Sequence, residues 1–74
     1  MTSAPTTTTC IDQIGETAGL VWQALNAAGP LSMAKLCKQI AAPRDVVMQA
    51  VGWLAREGKV SIDDGSRGRT VALR

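Results

Sequence analysis

The stretch VGWLAREGKV, residues 51–60, decides how the rest of the sequence folds. Val51 and Leu54 are three residues apart, the spacing of neighbours on one face of a helix. Gly58 is of the residue type that ends helices, because glycine adopts the left-handed backbone conformation without strain. Val60 then begins an alternation of apolar and polar residues, typical of a half-buried strand. The stretch therefore predicts the end of a helix, a glycine stop and the start of a strand.

The helix that ends here is predicted to begin near Pro43, which suits a first helical turn because that position needs no backbone N–H. Asp45 suits the positive end of the helix dipole. The predicted buried stripe comprises Val47, Ala50, Val51 and Leu54. Trp53 falls on the flank of that stripe. Either another element of the domain covers Trp53, or Trp53 is exposed and forms with Met48 an apolar patch of the kind that marks protein interfaces.

A first helix is predicted from Thr9 to about Ala28. Thr9 and Asp12 have the spacing of an N-cap followed by an acid in the first turn. Gly29 with the proline after it ends the helix. The apolar stripe, with Trp22 beside it, comprises Ile11, Ile14, Ala18, Val21 and Leu25.

Gly15 and Gly19 lie four residues apart on one side of this helix. Each costs about 1 kcal/mol relative to alanine in a helix interior. Such a pair leaves a shallow groove on the helix surface. Two occupants stay open for that groove: another element of the same domain, or a second chain.

A short second helix is predicted after Ser32, a residue type that caps helix N-termini. Its apolar face comprises Met33, Leu36, Cys37 and Ile40, and the AAP sequence at 41–43 breaks it.

The last segment is predicted to form a hairpin. The strand that begins at Val60 is followed by a loop with the sequence DDGSRG, residues 63–68, and residues 70–73 form the returning strand with Val71 and Leu73 inward. Three helices followed by a two-stranded antiparallel β-hairpin wing make an α+β fold, the winged helix-turn-helix. We predict this domain over residues 9–74. Residues 1–8 are small, polar and Pro-containing, which predicts a disordered tail.

Composition argues against catalysis and metal binding. The chain has no histidine, and the thiols of Cys10 and Cys37 do not by themselves make a tetrahedral zinc site. Asp12 and Glu16 are four residues apart, but acids near a helix N-terminus are expected there because of the helix dipole. No phosphate-binding loop or dinucleotide fingerprint is present. We therefore expect no enzyme, no cofactor, no metal and no small-molecule ligand.

The apolar runs are too short for a membrane-spanning helix, and the threonine-rich start lacks the parts of a signal peptide. These features predict a cytoplasmic protein with both cysteines reduced.

Two segments together carry a resemblance: IGETAGLVWQALNAAGPLSMAKL, which begins at Ile14, and GWLAREGKV, which ends at Val60. The chain resembles a family of small prokaryotic winged helix-turn-helix proteins of uncharacterised function, from Ile14 to Leu73. The resemblance implies the fold. It implies no activity, since the family has no assigned role.

The first functional hypothesis is a DNA-binding regulator or architectural factor, acting as a dimer on double-stranded DNA. In helix-turn-helix docking the recognition helix meets base edges and a wing reaches the backbone. The net charge of +2 is small, but the positive excess lies in the segment from Lys59 onward. The residues predicted to contact nucleic acid are Arg44, Gln49, Arg56, Ser66, Arg67 and Arg69.

The second hypothesis is a protein-interaction module, a dimerisation or adaptor domain with no nucleic-acid binding. Its predicted interface comprises Met48, Gly52 and Trp53. The two hypotheses use neighbouring parts of the same helix, so the exposure of Trp53 bears on the choice between them.

Overall fold

A computed structural model describes residues 9–66 and 68–74. The predicted tail of residues 1–8 lies outside the described residues, as does Arg67. In chain order the elements are α1 (Cys10–Ala28), β1 (Leu31–Ser32), α2 (Met33–Gln39), α3 (Arg44–Arg56), β2 (Val60–Gly65) and β3 (Gly68–Leu73). The strands form an antiparallel sheet in the order β1-β3-β2. The predicted winged helix-turn-helix, an α+β fold, is confirmed.

The ends of α1 follow from hydrogen bonds that its flanking residues make. The Asp12 N–H donates to Thr9 Oγ1 at 3.1 Å, and the Thr9 N–H donates to the Asp12 carboxylate at 3.4 Å, so both halves of a capping box are present. At the other end Gly29 has a φ of 81°, and its N–H donates to the Leu25 carbonyl at 2.8 Å. The predicted bounds of the first helix are therefore confirmed.

The helix-turn-helix unit is fixed in the same way. The Lys35 N–H donates to Ser32 Oγ at 3.2 Å, which caps α2. Pro43 precedes α3 without a side-chain cap, and its carbonyl accepts from the Val47 N–H at 3.0 Å. Gly58, with a φ of 75°, turns the chain out of the helix and into the strand. The glycine stop predicted there is confirmed.

The wing is a longer hairpin than the sequence predicts. β2 and β3 pair from Val60 opposite Leu73 to Gly65 opposite Gly68. Much of the segment predicted as a loop, residues 63–68, is therefore strand, and only residues 66 and 67 connect the two strands. Gly68 has a φ of 117°, which side-chain-bearing residues rarely adopt, and it lets the chain re-enter the ladder at once.

The structure adds a strand that periodicity does not reveal. β1 is only two residues long and pairs with β3, with Leu31 opposite Val71 and Ser32 opposite Thr70. A two-residue segment shows no apolar alternation, so nothing in its own sequence predicts a strand. β1 makes β3 the central strand and ties the start of α2 to the wing.

The core lies between the three helices and the inner face of the sheet. Its fully buried side chains are Val21, Leu25, Leu36, Val47, Val51, Val60 and Val71. Ile11, predicted on the buried stripe of α1, is instead 66% exposed, because the core contacts of that helix begin one turn later at Ile14. Ile62 faces the same side of the sheet as Val60 but is exposed, because it lies closer to the hairpin tip.

Candidate nucleic-acid interface

The exposed face of α3 is set by the side that it buries. At 100° per residue, its core residues occupy one side of the helix, and the opposite side carries Asp45, Gln49, Gly52 and Arg56. Gly52 has no heavy atom within 4 Å of the position where a Cβ would lie. A glycine in a helix interior costs about 1 kcal/mol relative to alanine. Nothing in the described residues requires it here, which leaves the helix backbone open to close approach from outside.

The formal charges of α3 and its C-cap cancel. Arg44 and Asp45 stand in the first turn, and Arg56 and Glu57 stand at the end, all exposed. The helix therefore offers separate cationic points rather than a basic stripe. Of the predicted contacts on α3, Arg44, Gln49 and Arg56 are all on the surface.

A depression of about 340 Å³ lies where the starts of α2 and α3 meet the wing. It brings together two predicted nucleic-acid contacts, Arg44 and Arg69, from separate elements. Its lining residues are Ser32, Met33, Ala34, Arg44, Met48, Gly68 and Arg69. The depression therefore lies between the second helix of the helix-turn-helix and the wing.

The wing carries its own counter-charge. Arg69 Nε lies 3.8 Å from Asp64 Oδ1, with both side chains more than half exposed. Exposed pairs of this kind contribute at most about 1 kcal/mol, so a phosphate can displace the aspartate at small cost. Ser66 is exposed in the turn, and the predicted contact Arg67 lies outside the described residues.

Two cations on α2 were missed by the sequence prediction. Lys35 and Lys38 are exposed, and α2 carries no acidic residue. In helix-turn-helix docking the first helix of the unit crosses the phosphate backbone. The sequence prediction considered the positive charge from Lys59 onward, and these two lysines precede that segment. The pattern KLCK at 35–38 was the signal that could have found them.

Comparisons with known proteins agree with the fold. A family model described as "Winged helix-turn-helix domain (DUF2582)" matches residues 10–73. The chain belongs to this family. The DUF2582 domain is also similar to the solution NMR structure of protein BT2368 from Bacteroides thetaiotaomicron, with 36% sequence identity and a TM-score of 0.74. That likeness covers 82% of this chain and 74% of BT2368. A comparison with curated proteins gave no match.

The DUF2582 domain has a second surface, on the other flank of α3. Trp53 is 43% exposed and Trp22 is 41% exposed. They line one groove between α1 and α3, of about 730 Å³, together with Gly15 and Gly19. Neither glycine has a heavy atom within 4 Å of the place that a Cβ would occupy, so no described element fills the groove that the glycine pair predicts.

Met48 does not belong to this second surface. It lines the depression beside the wing, whereas Trp53 lines the groove beside α1. Met48 and Trp53 are five positions apart, so their side chains are separated by about 140° around the helix axis. The two side chains therefore lie on opposite flanks of the exposed face. The structure therefore does not join Met48 and Trp53 into the single apolar patch considered from the sequence.

Among residues 9–66 and 68–74, no helix combines the length and apolarity needed to cross a membrane. In the same part of the chain, no three His, Cys, Asp or Glu side chains cluster as metal ligands would.

Proposed function

We propose that this domain binds double-stranded DNA, with α3 in the major groove and the wing on the adjacent backbone, as a transcriptional regulator or architectural factor. The observation that carries the proposal is the depression that joins Arg44 on α3 to Arg69 on the wing, beside the start of α2. In this role the domain binds rather than catalyses, and it acts without a cofactor.

Each predicted contact has a role that its chemistry supports. In this proposal Gln49 pairs with an adenine edge, and Arg44 with guanine or a phosphate. Arg56, Ser66, Arg67 and Arg69 are phosphate partners, which fix position rather than sequence. The open backbone at Gly52 allows α3 to sit deep in a groove.

The charge of the surface sets the expected strength of binding. The described cations on α2, α3 and β3 are Lys35, Lys38, Arg44, Arg56 and Arg69. If about three of them neutralise phosphates, the logarithm of the association constant falls with the logarithm of salt concentration with a slope of about −3. Such binding is weak for one domain, and a dimer doubles the number of contacts.

The test is fluorescence anisotropy of a labelled duplex at salt concentrations from about 50 to 200 mM. Arg44→Ala and Arg69→Ala are each expected to weaken binding and to reduce the salt slope by about 1. Arg74→Ala is the matched control, because it removes the same charge from an exposed residue that lines the α1–α3 groove instead. Absence of binding at the lowest salt, or equal slopes for the Arg44→Ala and Arg74→Ala variants, would overturn the proposal.

The exposure of Trp53 supports a second candidate, a protein-interaction module that does not bind nucleic acid. Tryptophan is enriched among the residues that anchor interfaces. The two candidates separate cleanly by experiment. If DNA is the ligand of α3, the Trp53→Ala variant still binds the duplex, and a loss of dimer contacts weakens that binding without abolishing it. Loss of association by Trp53→Ala in a protein that shows no duplex binding favours the module.

A further inference from the structure

The groove between α1 and α3 has tryptophan walls and a floor of small residues. Trp22 projects from α1 and Trp53 from α3, and the floor between them is made by Gly15, Ala18 and Gly19. Both tryptophans of the chain therefore line one concave surface. A large aromatic side chain left about two-fifths exposed beside open glycines leaves apolar area in water that a partner would cover.

The glycines fit a helical occupant. Each lies in the interior of α1, where glycine is less favourable than alanine, and each has open space where a Cβ would be. The fold of one chain therefore does not explain them. Small residues four apart on a helix let a second helix approach closely, backbone against backbone.

α1 itself presents the stripe that such an occupant needs. The exposed residues Ile11, Gly15, Gly19 and Trp22 follow one another at steps of four, four and three residues, which is the spacing of the contact positions in paired helices. Ile11, at one end of the stripe, is 66% exposed, although it is an isoleucine in the first turn of a helix. α1 of one copy therefore forms the floor of the groove, and α1 of another copy has the surface that fits it.

The charges are complementary between α1 and the far rim of the groove. The only charged residues of α1 are the acids Asp12 and Glu16. The rim formed by the end of α3 and the strands carries Lys59 and Arg74 against Glu57, which lies 3.6 Å from Lys59. An acidic helix is therefore the occupant that the basic excess of this rim favours.

We propose that this groove is the interface with a second copy of the same chain. α1 of each copy lies in the α1–α3 groove of the other, related by a two-fold axis that makes the contact self-complementary. Trp22 and Trp53 of both copies lose their contact with water there. The interface leaves Arg44 and the wing depression free, so it does not depend on whether the domain binds DNA.

The test measures self-association of the full chain by sedimentation velocity and by tryptophan emission across a dilution series. Because both tryptophans lie in the groove, dilution should shift emission to longer wavelength as the dimer dissociates. Trp22→Ala and Trp53→Ala should each raise the dimer dissociation constant by at least about tenfold, as truncation of an interface anchor does. Leu20→Ala is the matched control, an exposed apolar residue of α1 outside this groove.

A second pair of variants separates the interface from folding. The double variant Gly15→Ala with Gly19→Ala adds two methyl groups to the groove floor where the single chain has room for them. It should fold at least as well as the wild type and still dissociate at concentrations where the wild type is dimeric. Gly65→Ala, which adds the same group in the wing and outside the groove lining, should leave the dissociation constant unchanged.

Either of two results would overturn the proposal. One is a wild-type chain that stays monomeric, with unchanged emission, up to about 1 mM, an affinity of only about 4 kcal/mol. The other is a dimer whose dissociation constant does not respond to the paired glycine substitutions or to Trp22→Ala. Duplex-binding measurements on the same variants report on a separate surface, so failure here leaves the DNA proposal standing.

Discussion

Asp64 and Arg69 face each other across the β2–β3 ladder, and Asp64 Oδ1 lies 3.8 Å from Arg69 Nε. They occupy the face of the hairpin that carries Val60 and Val71 further down, so Arg69 is held on the side that borders the wing depression. The aspartate thus positions the arginine and at the same time offsets its charge.

Asp64→Asn is expected to tighten duplex binding up to about fivefold, because the exposed ion pair that phosphate must displace contributes at most about 1 kcal/mol. Asp63→Asn removes the same charge from a residue that lies opposite Thr70 rather than an arginine, and should have a smaller effect. Anisotropy titrations of both variants at one salt concentration make the comparison. Equal effects would show that the pair is irrelevant and that only net charge matters.

Ser32→Ala should lower the free energy of unfolding by about 1 kcal/mol, since it removes the side-chain acceptor for the Lys35 N–H at the start of α2. Urea denaturation followed by circular dichroism measures this loss. Ser61→Ala, an exposed strand residue opposite Ala72, serves as the control and should stay within about 0.5 kcal/mol of the wild type. A loss of the same size in both variants would contradict the capping role.

Leu36→Ala is expected to cost about 2–5 kcal/mol, because Leu36 is fully buried between α2 and the rest of the core. In a domain this small, that loss approaches the whole stability, so the variant should be largely unfolded at room temperature. Leu20→Ala removes the same atoms from a side chain that is 46% exposed and should cost much less. Thermal melts of the two variants that coincide would refute the assignment of the core.

Gly52→Ala and Gly58→Ala should shift stability in opposite directions. Gly52 is helical with open space at its Cβ position, so alanine there should stabilise the chain by about 0.5–1 kcal/mol. Gly58 has a φ of 75°, and alanine there should destabilise the chain by about 1–2 kcal/mol. Denaturation midpoints of the two variants test the signs. A destabilising Gly52→Ala would mean that α3 makes a contact at that face.

The helices were predictable because their information is local. Thr9 with Asp12, Ser32, Gly29 and Gly58 mark helix ends by hydrogen bonding and backbone conformation that neighbouring residues determine. The apolar stripes between those marks then follow from periodicity. The bounds of α1 and the glycine stop of α3 are confirmed for that reason.

What the sequence could not supply depends on distant partners. β1 exists because β3 lies beside it, and two residues carry no period of their own. The pattern around Trp53 placed it on a flank of α3 but did not decide whether it is exposed. Its exposure depends on how α1 crosses α3 and on the absence of side chains at Gly15 and Gly19. Ile11 and Ile62 fit buried patterns and yet extend past the elements that would cover them.

The central position of β3 has a mechanical consequence. Val71 lies opposite Leu31 on one side and Ile62 on the other, so the strand that leads to Arg69 is clamped to the start of α2. The base of the wing, at Thr70 and Val71, is therefore tied to the start of α2, which sets where the hairpin leaves the domain. A ligand that touches both elements meets this spacing already formed, so less free energy is spent on ordering the base of the wing.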